Sequence, residues 1–130
     1  MERSKTTLSE KPTHTPELIR IEKPWGYELI WAKTHDYVAK ILFVRASNSL
    51  SLQYHRVKEE TLFLESGDCE LETGDDESSL HPVAFVVGTA FHIPPGRLHR
   101  ISAKTDCRIF EVSTPHLTDV VRLKDSYGRR

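Results

Sequence analysis

Long hydrophobic runs are missing from this 130-residue chain, and so is a surplus of charge of either sign. No stretch comes near the roughly 18 uninterrupted apolar residues of a membrane-spanning helix. The opening residues, Met1-Glu2-Arg3-Ser4-Lys5-Thr6-Thr7-Leu8, lack the apolar segment of a secretory signal. No membrane partner is expected, and the cytoplasm is the expected location. Eighteen basic residues stand against nineteen acidic ones, for a formal net charge of −1, and no run is rich in lysine and arginine. Without that electrostatic footprint, nucleic acid is not expected as a partner. Cysteine is scarce. Cys69 and Cys107 are far apart and outside any Cys-x-x-Cys pattern, which argues against a disulfide framework or a thiolate zinc site. Both read as ordinary strand residues.

What is present is a β pattern. Residues 1–17 carry only Met1 and Leu8 as apolar side chains, too few to offset the entropy of ordering, so residues 1–18 are expected to form a loose tail. From Ile19 onward, short runs of Val, Ile, Leu, Phe and Tyr are punctuated about every ten residues by Gly, Pro, Asn and Asp. No helix-length 3.6-residue period occurs. One domain over residues 19–130 follows, with strands expected at 26–32, 37–46, 50–55, 60–66, 69–73, 83–87, 90–93, 99–103, 108–113 and 118–123. So many short strands fold onto themselves as a sandwich or a closed jelly-roll barrel, which also removes exposed edges. Gly74-Asp75-Asp76-Glu77-Ser78-Ser79 has turn composition and reads as a solvated hairpin, because the ligand spacing of an EF-hand calcium loop is missing.

Seven histidines pose the question of which share a face. Along Ser51-Leu52-Gln53-Tyr54-His55 a period of two puts Ser51, Gln53 and His55 on one side. In the next strand Glu60 heads the otherwise apolar row Glu60, Leu62, Leu64, and a carboxylate there must be paired or bind a metal. Ile93-Pro94-Pro95-Gly96-Arg97-Leu98-His99 is a strand end, a rigid turn and a new strand, and the turn fixes where His99 points. His14, His35, His81 and His116 fall in the tail or in loops and read as solvated. Trp25 and Trp31 are expected to pack the N-terminal strand against the rest.

These two segments resemble the paired motifs of the cupin superfamily. The first, Gly-x5-His-x-His-x3–4-Glu-x6-Gly, is met here by Gln53-x-His55-x4-Glu60-x6-Gly67, with Gln53 for the first His and Ser47 for the leading Gly. The second, Gly-x5-Pro-x-Gly-x2-His-x3-Asn, is met by Gly88, Pro94, Gly96 and His99, with Ala103 for the final Asn. Lys23-Pro24-Trp25-Gly26, Leu50-Ser51-Leu52-Gln53, the segment from Ile93 to Ile101 and the segment from Asp119 to Arg129 resemble, more narrowly, the type II mannose-6-phosphate isomerase module. That likeness spans about Ile21 to Arg130, without the guanylyltransferase portion to which the module is often fused.

The resemblance implies an all-β fold, the cupin double-stranded β-helix. It implies one divalent metal ion, zinc first and Mn, Fe, Co or Ni as alternatives, held by Gln53, His55, Glu60 and His99. It also implies a sugar phosphate as small-molecule substrate, interconverted between aldose and ketose as a neighbouring base removes a carbon-bound proton. A mixed N/O site with open positions suits that chemistry. Against the type II pattern Gln-x-His-x-His-Arg-x-Glu-His-Trp, this chain has Val57, Lys58, Thr61 and Leu62 at the second His, the Arg, the final His and the Trp. Lys58 keeps the charge of that Arg without its fork.

The remaining candidates carry two readings each. Glu111 is the base, or a hydrogen-bonded structural acid; Lys58 joins it as the second catalytic candidate. Lys40, in the apolar run Val38–Val44, binds the substrate's anion or snorkels to the surface. Arg97 on the turn is the better-placed phosphate ligand, while Arg100 alternates outward. His92 is a possible wall of the pocket. The alternative functions are a noncatalytic sugar- or metabolite-binding cupin and an Fe(II) dioxygenase. A homodimer is expected from the apolar segment Trp25 to Trp31.

Overall fold

The computed structural model describes residues 16–129. Most of the tail expected over residues 1–18, with His14, lies outside the described residues, while Pro16 to Leu18 are exposed and irregular. Eleven strands follow in chain order: β1 (Ile19–Lys23), β2 (Gly26–Lys33), β3 (Val38–Val44), β4 (Leu52–Tyr54), β5 (Glu60–Ser66), β6 (Cys69–Gly74), β7 (His81–Val83), β8 (Ala90–Ile93), β9 (Leu98–Ala103), β10 (Cys107–Ser113) and β11 (Val121–Lys124). Among the described residues there is no α-helix, hence none long and apolar enough to cross a membrane. All strand pairs are antiparallel, in a six-stranded sheet of order β1-β2-β3-β10-β5-β8 and a five-stranded sheet of order β11-β4-β9-β6-β7. This is the all-β jelly roll that the strand pattern predicts.

Side-chain alternation explains the packing. In β10, Cys107, Ile109, Glu111 and Ser113 are buried while Arg108, Phe110 and Val112 between them are exposed. β3 and β5 flank β10, so register decides what meets inside. Ile109 lies opposite Leu42 and Leu64, and one pleat further along Glu111 lies opposite Lys40 and Leu62. The interior is thereby divided. One end is filled by Val44, Leu64, Leu71, Ile101, Cys107 and Ile109, and the other carries the buried polar groups Lys40, His55, Lys58, Glu60, His99 and Glu111. Cys69 and Cys107 are buried, free thiols that open β6 and β10, and burial pushes Cys69 up to about 12.

Several boundaries differ from the sequence expectation. The strand expected at 83–87 is His81–Val83 instead. Beyond Val83 the chain leaves the five-stranded sheet for the other one, with Phe85 anchored in the core and Gly88 turning at φ 87°. The expected strand 37–46 ends at Val44 because Ser47, at φ 67°, turns the chain back. The strand at 50–55 contracts to Leu52–Tyr54, and that at 118–123 moves to Val121–Lys124. β1 lies outside the expected strands: its residues are mostly exposed, so no buried face marks it, yet it pairs with β2 from Ile19↔Ile30 to Lys23↔Gly26. Trp25 packs into the core, but Trp31, beside the register shift between Ile30 and Ala32, faces outward at 47% exposure.

Gly67, the closing glycine of the first motif, turns β5 into β6 at φ 99°. A Cβ there would sit 2.3 Å from the Asp106 carbonyl oxygen and 2.8 Å from the Cys107 Cα, so close backbone approach requires glycine.

Candidate metal centre

The short strand β4 and the loop after it, the head of β5 and the second residue of β9 bring three side chains together. His55, Glu60 and His99 are all buried, with ligand-type atoms within 4.8 Å of one another. His55 Nε2 lies 3.0 Å and His99 Nε2 3.1 Å from the same oxygen, Glu60 Oε2. Each ring is fixed from behind. Nδ1 of His55 donates to the main-chain oxygen of Asp119 at 2.6 Å, and Nδ1 of His99 donates to that of Arg97 at 3.0 Å. A carbonyl only accepts, so the Nδ1 atoms carry the protons and the neutral rings aim two Nε2 lone pairs at a carboxylate. Acceptors facing acceptors need a cation between them. His99 Nε2 is buried and has no hydrogen-bond partner. Two imidazoles and one carboxylate, each oriented by a second partner, fit a first-row divalent ion and could hold one.

Around this group runs a ladder of alternating buried charges. Lys58 Nζ stands 3.2 Å from Glu60 Oε1 and 3.0 Å from Glu111 Oε2. Lys40 Nζ stands 3.8 Å from the same Glu111 oxygen and 3.2 Å from Glu28 Oε1. Burial by itself would lower the Lys58 pKa, but Glu111 and Glu60 outweigh it and hold the ammonium above the usual lysine value. Burial likewise opposes ionisation of Glu60. The His55 and His99 rings and the Lys58 charge beside it nonetheless keep its carboxyl well below the usual range. Glu111 goes the other way. Burial and the nearby Glu60 charge raise its pKa, and Lys58 and Lys40 offset this only in part. Two buried carboxylates that share one ammonium thus have their pKa values pushed in opposite directions.

One residue of the site carried no assigned role in the sequence reading. The Asp119 carboxylate accepts from the backbone N–H groups of Arg56, Val57 and Lys58 at 3.0, 2.7 and 2.8 Å, while its main-chain oxygen holds the His55 ring. It pins the whole turn between His55 and Glu60. Those three donors hold its carboxyl down to about 2. Because the folded-state pKa is depressed, the stabilisation is complete above the ordinary aspartate value of 3.8 and is lost as pH falls toward about 2. Asp119→Asn is expected to lower metal affinity about tenfold to a hundredfold at neutral pH. Its stability deficit against the parent should shrink across that acid window. Metal titration and acid unfolding check both parts, and an unchanged affinity would remove Asp119 from the site.

The other sequence candidates divide. A cavity of about 270 Å³ is lined by Gln53, Lys40, Lys58 and Glu111 together with the His-Glu-His group. Gln53 lies opposite His99 across β4 and β9, and its Oε1 accepts from Ser51 Oγ at 2.6 Å. Lys40 does not snorkel; it is buried between Glu28 and Glu111. Arg97 is not among the residues lining the cavity. Its guanidinium turns to Thr73 Oγ1 and Asp75 Oδ1, both at 2.9 Å, because Gly96 at φ 83° directs the residue toward β6 rather than inward. His92 is exposed and meets Glu59 at 2.5 Å, outside the cavity, and Arg100 points away to Glu72 at 2.9 Å. His35, His81 and His116 are exposed.

An antiparallel double-sheet barrel with a His-Glu-His group converging inside it defines the class: this is a cupin. The model of the mannose-6-phosphate isomerase C-terminal family matches residues 10–125, and the chain belongs to that family. It is similar to the xanthan biosynthesis protein XanB of Xanthomonas campestris pv. campestris (strain B100), at 30% identity over 116 residues. The match covers 85% of this chain and 24% of XanB, so the chain spans about a quarter of that relative's length. Among solved structures it resembles the oxalate decarboxylase of Bacillus subtilis, which has Mn(II) centres, with a TM-score of 0.69 at 15% identity over 80% of this chain and 29% of that one. It also resembles KdgF from Halomonas sp., with a TM-score of 0.62 at 19% identity over 78% of this chain and 89% of that one. At these identities the likeness is one of fold.

Proposed function

We propose that the protein is a metal-dependent isomerase of sugar phosphates, interconverting an aldose and a ketose as mannose-6-phosphate isomerases do. One observation carries the reading. The His55–Glu60–His99 group is joined through the single ammonium of Lys58 to a second buried carboxylate, Glu111, whose pKa is raised. Family membership and the sugar-related relative support it.

In this reading His55, Glu60 and His99 hold the metal, with Gln53 as a fourth and weaker ligand once its amide oxygen turns from Ser51. Zinc is the first choice for that donor set. The bound ion supplies Lewis-acid polarisation of the substrate's carbonyl and hydroxyl oxygens. Glu111 takes the proton from the carbon beside the carbonyl and returns it to the neighbouring carbon, while the hydroxyl proton passes between the two oxygens. Lys58 fixes the Glu111 carboxylate and places a positive charge where the enediolate develops negative charge.

The His-Glu-His group also matches the two-histidine, one-carboxylate arrangement of non-haem Fe(II) oxygenases, which makes dioxygenase chemistry the second reading. Chelator-stripped protein reloaded with single divalent ions separates the readings. Conversion of D-mannose 6-phosphate that vanishes with the metal and returns with it is the expected result. Oxygen consumption by the iron form favours the second reading, and sugar binding without turnover favours a noncatalytic cupin. Free buried thiols suit the cytoplasm, the location we assign. We also assign a homodimer, formed over the outer face of the six-stranded sheet, where Phe63 and Phe110 stack at 6.0 Å beside exposed Val112. A monomeric mass in solution would remove that assignment.

A further inference from the structure

The His99 ring is only as well placed as the carbonyl behind it, and that carbonyl belongs to Arg97. His99 Nδ1 donates to the Arg97 main-chain oxygen at 3.0 Å, which sets the direction of Nε2. The pairing of β6 with β9 ends at Gly74↔Leu98, so Arg97 lies just outside the ladder, on the turn Pro94-Pro95-Gly96-Arg97. Its own N–H reaches the Pro94 oxygen only at 3.3 Å. The same turn touches the other histidine: Gly96 N–H donates to the His55 main-chain oxygen at 2.7 Å. Both imidazoles are tied to this turn, and whatever steadies it steadies their spacing.

The Arg97 side chain supplies that support. Its Nε donates to Thr73 Oγ1 at 2.9 Å, and Thr73 is a wholly buried residue of β6 directly opposite His99. A hydroxyl has one proton, and Thr73 gives it to the Leu98 carbonyl at 3.0 Å, so toward Arg97 it accepts. One hydroxyl thereby holds the Arg97 side chain and the Leu98 carbonyl. The Arg97 carbonyl stands between those two anchors and is left little freedom to turn. The remaining contact counts for less. Nη1 meets Asp75 Oδ1 at 2.9 Å, but the Asp75 side chain is 85% exposed, and an ion pair in solvent adds little.

We infer that Arg97 is a positioning residue of the metal centre: anchored through Nε on Thr73, it fixes the carbonyl that aims the His99 ring. The inference rests on the metal-centre reading above and is independent of the reaction performed there. Arg97 does not line the cavity, so it acts through His99 alone.

Zinc affinity, measured by competition with a chromophoric chelator, and the visible absorption of Co(II)-loaded protein, which reports coordination geometry, test it. Arg97→Met and Thr73→Val are each expected to lower zinc affinity about tenfold, the low end for an outer partner of a metal ligand, because each acts one bond further out. The double variant should lose little more than either single one, since both remove the same contact. Thr73→Ser, which keeps the hydroxyl, and Asp75→Ala should bind zinc as wild type does. The Co(II) spectrum should change in Arg97→Met and Thr73→Val, which a mere loss of stability would not produce. Wild-type affinity with an unaltered spectrum in Arg97→Met would overturn the inference. So would additive losses in the double variant, or a loss in Asp75→Ala as large as in Thr73→Val, because either places the anchor elsewhere. If Arg97→Met and Thr73→Val do not fold, proton exchange in metal-free wild-type protein decides. The Arg97 Nε–H and His99 Nδ1–H should be protected from solvent together, and a freely exchanging Nε–H beside a protected Nδ1–H would overturn the inference. Failure of the metal-centre reading looks different: wild-type protein then binds no zinc, and the same two protons still show whether Arg97 aims the His99 ring.

Discussion

His99→Ala protein is expected to emerge from purification without metal. His99 supplies one of two imidazole donors, its ring is set by the Arg97 carbonyl at 3.0 Å, and its Nε2 is buried with no other hydrogen-bond partner. Removing an outer partner of a metal ligand costs about tenfold to a hundredfold in affinity, and loss of a ligand itself exceeds that. The loss should surpass a hundredfold, enough for dialysis to strip the ion. Gln53→Ala should only weaken retention, because a neutral amide is the poorest donor of the set. Elemental analysis of both variants against wild type is the measurement. Full occupancy in His99→Ala would refute the ligand assignment.

Glu111→Gln should leave metal content and substrate affinity nearly intact and lower turnover by about a hundredfold to ten-thousandfold, the contribution of a positioned general base. The amide keeps the shape and a hydrogen-bond acceptor for Lys58 but has no basic oxygen. A base must be ionised to act, and the Glu111 pKa is raised, so the acid limb of the wild-type rate profile should lie above the usual carboxylate range. Single-turnover kinetics and the pH profile check both points. Wild-type turnover in Glu111→Gln would transfer the role to another group, Glu60 or a metal-bound hydroxide.

How much of this is legible in the sequence depends on how local each feature is. β5 and β10 can be read directly, because each has one face in the core and one in solvent, so residue types alternate. β1 cannot, since as an edge strand with little buried surface it lacks that alternation. The apolar residues Val83 to Val87 mislead in the opposite direction: Phe85 plugs the core from a loop, and Val86 and Val87 are exposed. At the site, His55, Glu60 and His99 stand out by motif spacing. The meeting of Glu111 with Lys40 does not, because it needs the β3–β10 register, and Asp119 acts on a turn more than 60 residues away in the chain. The pairing of the last strand with β4 is likewise signalled by no local pattern. The place of Arg97 on the turn makes it the expected phosphate ligand, but its guanidinium turns to Thr73 and Asp75, a contact with β6 and its end that no local pattern signals.

The central claim is that a buried carboxylate beside a metal group moves a carbon-bound proton of a sugar phosphate. Metal-loaded protein incubated with D-mannose 6-phosphate in deuterium oxide, followed by proton NMR, tests it most directly. Deuterium is expected to replace the proton on the carbon next to the carbonyl at a rate that depends on the metal and on Glu111. An intact proton signal at saturating substrate, with one metal ion per chain confirmed, would contradict it.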